Sequence, residues 1–318
     1  MINFSILQFL EYASIIGTNI FFMITGYFLV KPRTISYAIS KSLNTWKVVM
    51  LYSVGIYAIL SLTGAIDFQP KQLVAQLFPI HSHNYWFMSN YIVLVLLSPF
   101  TSKLLYSLSK REYQVLLLVV FCINFGEHGI GYGNIFSGNM SLIFDMALFA
   151  WGGYLKRFPF KEFKGDYLLY FALYIAICVA LTCNSYALQF LSSNPSASAM
   201  HIRSMSNNSL PLFTATLFFL ASTSHKLRIP AFIGNIAISI SPYILAVYLI
   251  HDNPFAMPIM WLDIVKPDNY INSYWMIPYC IAIVISIFAA CILVEYIRQH
   301  IEKAIKLAAL SITKLFAK

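Results

Sequence analysis

The sequence predicts an all-α fold, a polytopic membrane helix bundle of about nine transmembrane helices. Its 318 residues are 59% hydrophobic and only 10% charged, whereas a soluble domain has roughly 25% charged residues. Several apolar runs reach the roughly 20 residues that a helix needs to cross a bilayer. Lys and Arg concentrate in every second connection between these runs, as they do in the cytoplasmic loops of membrane proteins.

Nine apolar segments divide the chain up to residue 297. The seventh is the weakest because Pro211 shortens it, but without it the alternation of charge would lose its phase. An odd number of spans places the two termini on opposite sides of the membrane. The predicted spans are 12–30, 48–66, 84–105, 113–130, 138–155, 167–190, 208–223, 232–252 and 275–297.

The basic residues predict the orientation of the bundle. Of the 21 Lys and Arg residues, 18 fall in every second segment, beginning with the connection after the first span. Because basic loops stay in the cytoplasm, we expect a multi-pass protein with its N-terminus outside and its C-terminus inside. The net charge of +9 is therefore a topology signal and does not indicate a nucleic-acid partner.

The last residues are predicted to form a separate helix. We divide the chain into a membrane domain, 1–297, and a basic amphipathic cytosolic tail, 298–318, which we expect to lie on the inner surface of the bilayer. Residues 1–11 lack a basic n-region, so no cleavable signal peptide is expected. The five cysteines form no metal-type pair and predict no disulfide. The apolar residues at helical spacing in the tail are Ile301, Ile305, Ala308, Ile312 and Leu315.

Ionisable side chains toward the outer ends of the spans are the candidates for an acceptor site. Such groups are costly at membrane depth and usually face a bundle interior or a water-filled cavity. The alternative for His83 and His128 is a position in the hydrated interface of the membrane, where a polar side chain costs little free energy. Asp145 and His251 instead adjoin strongly apolar runs. The candidates are His251, Asp145, His83, His128 and Glu127.

His251 stands directly before Asp252. An imidazole beside a carboxylate suits a general base, because the carboxylate fixes the tautomer and stabilises the charged ring. Neighbours on a helix point about 100° apart, so the sequence leaves open whether the two side chains touch. On the inner side, Lys31, Arg33 and Lys41 are candidates for binding the phosphates of an acyl donor; the alternative is that they only set the topology.

Three familiar motifs are absent from the sequence. It holds no GxxxxGK[ST] phosphate loop and no HExxH zinc motif. It also lacks the GxSxG nucleophile elbow. An ATP-driven pump, an intramembrane zinc protease and a serine hydrolase are therefore not indicated.

Four short segments, in order, resemble one family of membrane proteins. Residues 19–29 (NIFFMITGYFL) are similar to its FFxxSGY helix, with Thr25 in place of Ser, and residues 85–88 (YWFM), followed by 97–99 (LSP), resemble its WFL…SP segment. Residues 150–155 (AWGGYL) and 248–251 (YLIH) resemble its GYxL helix end and its late YLIH segment. The family is the acyltransferase 3 family of bacterial integral-membrane O-acyltransferases, and the resemblance covers roughly residues 15–297.

The resemblance implies a bacterial cytoplasmic-membrane enzyme that moves an acyl group, most often acetyl, from cytosolic acyl-CoA to a hydroxyl of a surface polysaccharide or lipid-linked glycan. No permanently bound cofactor is implied. The family's first helix carries an Arg or Lys, ten residues and then a catalytic His. None of the seven histidines here has that spacing, and residues 1–11 are too short for an extra span. We therefore name no catalytic residue and expect a truncated product, an inactive relic or a variant that uses other residues.

Three alternatives from other classes stay open. A polysaccharide flippase or other transporter also has many spans with buried polar residues. A polymerase of the same pathway would carry a large outer loop, and the outer loops here are short. A non-catalytic membrane partner of a glycan-modifying complex would account for the missing helix.

Overall fold

The computed structural model describes residues 2–78, 80, 82, 84–130, 141–160, 166–191, 209–224 and 227–316. Side chains are described in these ranges except at residues 2, 4, 125–130, 186, 188–191, 209–211 and 308–316. The regular structure in the described ranges is entirely helical. Six apolar helical segments there are long enough to cross a bilayer, namely Ser5–Leu29, Ile35–Leu62, Trp86–Ser107, Asp166–Ser185, Ala231–His251 and Met276–Leu307. The all-α membrane bundle is thus confirmed, but the count of nine spans is not.

The helices of eight or more residues within the described ranges are numbered here in chain order. They are α1 (Ile2–Ser14), α2 (Ile16–Leu29), α3 (Ile35–Leu62), α4 (Pro70–Leu77), α5 (Trp86–Ser107), α6 (Lys110–Ile130), α7 (Leu142–Arg157), α8 (Asp166–Leu191), α9 (Ser209–Thr223), α10 (Ala231–Ile240), α11 (Ile244–His251) and α12 (Met276–Phe316). Shorter helical turns lie at Ser241–Tyr243, Ala256–Pro258, Ile259–Val265 and Pro267–Tyr270.

The chain divides into two compact units. The first unit comprises residues 1–47 and 86–228, and the second comprises residues 48–85 and 229–318. The first unit therefore holds α1, α2, the first part of α3 and α5 to α9. The second unit holds the rest of α3, α4 and α10 to α12.

Three helices of the first unit, α2, α5 and α7, run in the same direction. Near their starts, the rings of Phe21 and Phe87 lie 4.9 Å apart, and the Asn90 amide donates to the Asp145 carboxylate over 2.7 Å. Near their ends, the Ser102 hydroxyl donates to the carbonyl of Leu29 over 2.6 Å. The first, third and fifth predicted spans should share a direction, and these contacts agree.

The same contacts define one end of the first unit, called the basic end here. Arg157 donates to the carbonyls of Leu105 and Leu108 at the end of α5. The beginning of α6 reaches the same place, because the Tyr113 hydroxyl donates to the carbonyl of Ala150 over 2.7 Å. Lys31, which follows α2 by two residues, also lies at this end. The basic end comprises residues 29–31, 102–113 and 153–160.

A close approach of α2 and α7 forms the centre of the first unit. A Cβ atom on Gly26 would lie 1.9 Å from the carbonyl oxygen of Phe149, and a Cβ atom on Gly152 would lie 1.9 Å from that of Met23. Small residues let helix backbones approach in this way, and such packing replaces the hydrophobic driving force that is absent between helices in lipid.

The second unit is held together by a buried carboxylate. Glu295 on α12 is 4% exposed and accepts hydrogen bonds from the Tyr52 hydroxyl of α3 (2.5 Å), Arg298 Nε (2.6 Å) and Gln299 Nε2 (2.9 Å). A buried charge is tolerated when it is paired and hydrogen-bonded in this way. The network fixes α12 to α3.

Several predicted boundaries differ from the helices. The second span was predicted from residue 48, yet α3 begins at Ile35, so Lys41 lies on a helix and not in a loop. The eighth span is interrupted at Ser241–Tyr243, where Pro242 cannot donate to the helix ladder. The last helix runs unbroken through 41 residues, so no break marks the predicted division at 297.

Candidate functional site

His251 is the last residue of α11 and lies in the second unit, half-buried. Its Nδ1 atom is 2.6 Å from the carbonyl oxygen of Val247, one helical turn earlier. A carbonyl oxygen accepts only, so this contact assigns the proton to Nδ1. The other ring nitrogen, Nε2, then carries the lone pair that a general base needs.

Asp252 has a different role from the one the sequence suggested. The Nδ1 proton goes to the carbonyl of Val247, so the carboxylate does not select the tautomer. Asp252 still interacts electrostatically with the imidazole.

The chain reversal after His251 is held by a buried network. The Tyr85 hydroxyl donates to the carbonyl of Leu249 over 2.9 Å and accepts from Asn253 Nδ2 over 2.6 Å. Asn253 Oδ1 accepts from the backbone N–H groups of Phe255 and Ala256 at 3.0 and 3.1 Å. Tyr85 and Asn253 are both fully buried. This network fixes the backbone on both sides of His251.

Sequence reasoning missed Tyr85 and Asn253. The signal for Asn253 was the Asn-Pro dipeptide at 253–254, since Asn before Pro favours a turn that its own side chain stabilises. Tyr85 stands at the start of the YWFM segment, but nothing in the sequence indicates its partners, which are 164 and 168 residues away.

Asp145 lies in the first unit, in the first turn of α7, and is 6% exposed. It accepts a hydrogen bond from Asn90 and lies at the positive end of the α7 dipole. Asn19 lies one turn before Met23, on the face of α2 that meets α7, and is also buried. The structure thus places polar groups in the interior of the first unit, at the end away from the basic end.

The side chains of three other acceptor-side candidates lie outside the described part of the structure. His83 lies outside the described residues. Glu127 and His128 belong to the last turns of α6, but their side chains lie outside the described part. They stay predictions from the sequence.

The donor-side candidates are all exposed. Arg33 lies 5.8 Å from the ring centroid of Tyr37, Lys31 follows α2, and Lys41 is on α3. The described contacts do not bring the three together. The structure instead draws attention to a lysine that the sequence did not single out: the ammonium group of Lys156 lies 4.5 Å from the ring centroid of Tyr27 at the basic end.

A small cavity opens beside this lysine. Its volume is about 100 Å³, and its walls come from α2, the end of α7, the beginning of α8 and the end of α9. Three hydroxyl-bearing residues and several apolar side chains line it. They include Tyr27, Phe160, Tyr170, Phe219, Leu220 and Thr223.

These features define a multi-pass helical membrane protein with buried polar side chains and an imidazole whose Nδ1 atom contacts a backbone carbonyl. Residues 2–296 match the model of a protein family that is described as an acyltransferase domain. The chain belongs to this family, the acyltransferase 3 family, and the resemblance seen in its sequence is confirmed. The family assignment makes it a membrane acyltransferase. No curated protein and no solved structure matches the chain.

Proposed function

We propose that this protein is an O-acyltransferase of the bacterial cytoplasmic membrane. It transfers an acyl group, most often acetyl, from acyl-CoA to a hydroxyl of a cell-surface polysaccharide or its lipid-linked precursor. Family membership over residues 2–296 supports the reaction class. One observation supports His251 as the reacting residue: its Nδ1 atom lies 2.6 Å from the carbonyl oxygen of Val247.

His251 is the proposed general base. Its Nε2 atom removes the proton of the acceptor hydroxyl as the oxygen forms a bond to the thioester carbonyl carbon. The carbon–sulfur bond then breaks, and the imidazolium returns the proton to the departing sulfur, so that CoA leaves as a thiol. General-base assistance of this kind is worth roughly 10²–10⁴ in rate. The nearby Asp252 stabilises the imidazolium between the two proton transfers.

The test replaces His251 by Gln and compares it with a matched histidine. His300 on α12 makes the same contact one turn back, with Nδ1 2.8 Å from the carbonyl of Tyr296, but its side chain is exposed. In a strain that lacks the native gene, His251→Gln should lower ester-linked acyl groups on the surface glycan by about 10²-fold, whereas His300→Gln should leave them unchanged.

Two outcomes would count against the proposal. Equal acylation by wild type and His251→Gln would remove His251 as the base. A wild-type protein that restores the amount of surface glycan but adds no ester-linked acyl groups would favour a transporter of the same pathway.

A further inference from the structure

We propose that the part of α12 beyond the membrane pairs with the same part of a second copy of this chain, as a short parallel coiled coil in water. The pairing surface, called the tail seam here, is the apolar stripe formed by residues 301, 305, 308, 312 and 315. The pairing goes beyond the proposed function and does not depend on it, because it concerns how two copies associate and not the reaction.

The length of α12 takes its last turns out of the membrane. The helix has 41 residues, which is about 61 Å at 1.5 Å per residue, whereas the hydrocarbon core is about 30 Å thick. Charged residues recur from Glu295 onward, so the excess length lies at the C-terminal end. Sharp kinks occur at Pro or Gly, and α12 has neither after Pro278. The tail therefore continues the span into water and does not turn to lie along the bilayer.

Ion pairs stabilise the helix beyond the membrane. Glu302 accepts from Arg298 over 2.7 Å and from Lys306 over 2.5 Å, and pairs four residues apart stabilise a helix in water. The same stretch leaves Ile301 and Ile305 55% and 63% exposed among the described residues of a single chain. Two isoleucines one turn apart on a helix in water favour association with a second apolar surface.

The spacing of the tail seam is that of a coiled coil. Its residues follow one another at intervals of four, three, four and three, which is the 3.5-residue repeat of a seam between two helices. The order of these intervals assigns position d to 301, 308 and 315 and position a to 305 and 312. Both a positions are Ile, and the last d position is Leu. This combination favours two parallel strands.

The charges of the tail agree with this assignment. Three lysines occupy the register positions f, b and c, away from the seam. They are Lys303, Lys306 and Lys314. The positions that flank the seam, e and g, hold a single charged residue between 301 and 316, which is Glu302. Like charges therefore do not oppose one another across the pair.

The membrane determines the direction of the pairing. All copies insert with the same orientation, so two tails leave the bilayer in parallel and at the same residue. Position a of one copy then meets position a of the other, which makes a closed two-fold pair. Two heptads are short for helices free in solution, but spans confined to one bilayer hold the two tails at a high effective concentration.

The first experiment cross-links the full chain in its membrane. The five native cysteines are replaced, and one thiol is introduced by Ile305→Cys at position a or by Lys303→Cys at position f. Oxidation should link two copies through Ile305→Cys. Lys303→Cys should give about tenfold less dimer, because thiols on the outer face of a coiled coil are too far apart for a disulfide.

The second experiment measures the strength of the association. Copies of the full chain labelled with a donor or an acceptor dye are mixed in liposomes, and energy transfer is followed as the lipid-to-protein ratio rises. Ile305→Glu should weaken the association by at least about tenfold. Leu307→Glu is the matched control, because Leu307 is also 56% exposed but occupies position c. It should leave the association unchanged, and both variants should melt like the wild type.

Four outcomes would overturn the pairing. They are equal cross-linking of the two thiols, equal loss of association in the two Glu variants, and a wild-type chain that stays monomeric at every ratio. The fourth is quenching, by brominated lipids, of a dye attached to the thiol of Ile305→Cys, which would place the tail seam on the bilayer. Glycan acylation is a separate measurement, so the proposed function stands or fails independently of these results.

Discussion

The chemistry of His251 depends on which ring nitrogen carries the proton, and the carbonyl of Val247 decides it. Residues four apart lie on the same face of a helix, so the carbonyl is within reach of the ring without any rearrangement. Asp252, the next residue in sequence, follows the end of the helix. The residue and its apolar surroundings could be predicted from the sequence. The choice of tautomer could not, because it depends on one side-chain rotamer.

Tyr85 is expected to position His251. Tyr85→Phe removes a hydroxyl that pairs with both Leu249 and Asn253, and the buried Nδ2 group of Asn253 loses this acceptor, which costs about 1–3 kcal/mol. We expect a lower melting temperature in detergent and weaker glycan acylation. Tyr57→Phe is the control, because the Tyr57 hydroxyl is also buried and bonds to the backbone of Gln69 twice.

Comparing the two variants distinguishes a loss of stability from a loss of His251 positioning. Tyr57→Phe should lower the melting temperature to a similar extent and retain acylation. If both variants lose acylation equally, stability alone accounts for the effect and Tyr85 has no positioning role.

Asp145 is predicted to act through its charge in acceptor binding. Asp145→Asn keeps the shape and can still pair with Asn90, whose amide lies 2.7 Å from the carboxylate, so the melting temperature should change little. Glycan acylation should fall by about tenfold, since one lost charge-assisted hydrogen bond costs roughly 1.5–3 kcal/mol. Asp166→Asn is the control, because Asp166 is also buried in the first turn of a helix of this unit. Unchanged acylation in Asp145→Asn would make the residue structural.

At the scale of elements, the crossing of α2 and α7 is the tightest constraint in the first unit. Gly26→Ala and Gly152→Ala each place a methyl group 1.9 Å from a backbone carbonyl oxygen of the other helix. Backbone atoms cannot move aside as a flexible side chain can, so the helices must separate. We expect each substitution to cost at least the roughly 1–3 kcal/mol of an overpacked core, measured as a lower melting temperature or as lost expression.

A third glycine provides the control for the crossing. Gly17 lies on the same helix α2, and a Cβ atom there would have no neighbour within 4 Å. Gly17→Ala should be neutral or stabilise by roughly 0.5–1 kcal/mol, the usual gain for Ala over Gly in a helix. Equal stability of all three variants would show that the two helices do not approach as closely as described.

The helices show where apolar runs define an element and where they do not. The predicted span 84–105 agrees with α5 (Trp86–Ser107) to within two residues at each end, because polar residues end the apolar run where the helix ends. The beginning of α3 at Ile35 was missed because a helix continues beyond its apolar stretch if nothing breaks it. The interruption at Pro242 was missed because the surrounding residues are uniformly apolar, although the proline itself was the signal.

At the scale of the whole molecule, the charge alternation predicted which helix ends lie on the same side, and the contacts of the first unit agree. The contacts of the first unit bring residues 29–31, 102–113 and 153–160 to one end, and these are the connections that the alternation assigns to the same side. The sequence could not predict which side chains meet between helices. The Gly26–Phe149 approach and the Tyr85–Asn253 bond join residues too far apart in sequence for any local pattern.

The orientation of the bundle in the membrane is the last prediction, and it follows from the basic end. Basic residues are retained on the cytoplasmic side during insertion, so residues 29–31, 102–113 and 153–160 should face the cytoplasm and the beginning of α7 should face outward. The measurement uses a chain without its five cysteines, with single cysteines at Lys110, Lys161 and Lys303 or at Ser141 and Asn269. A membrane-impermeant maleimide applied to intact spheroplasts should label only the second set.

A permeant maleimide is the control and should label both sets, which shows that each introduced thiol is reactive. The pair Lys110 and Ser141 decides the orientation of the first unit, because they begin two helices, α6 and α7, that start at opposite ends of it. Labelling of Lys110 but not Ser141 from outside would invert the unit and contradict the predicted orientation.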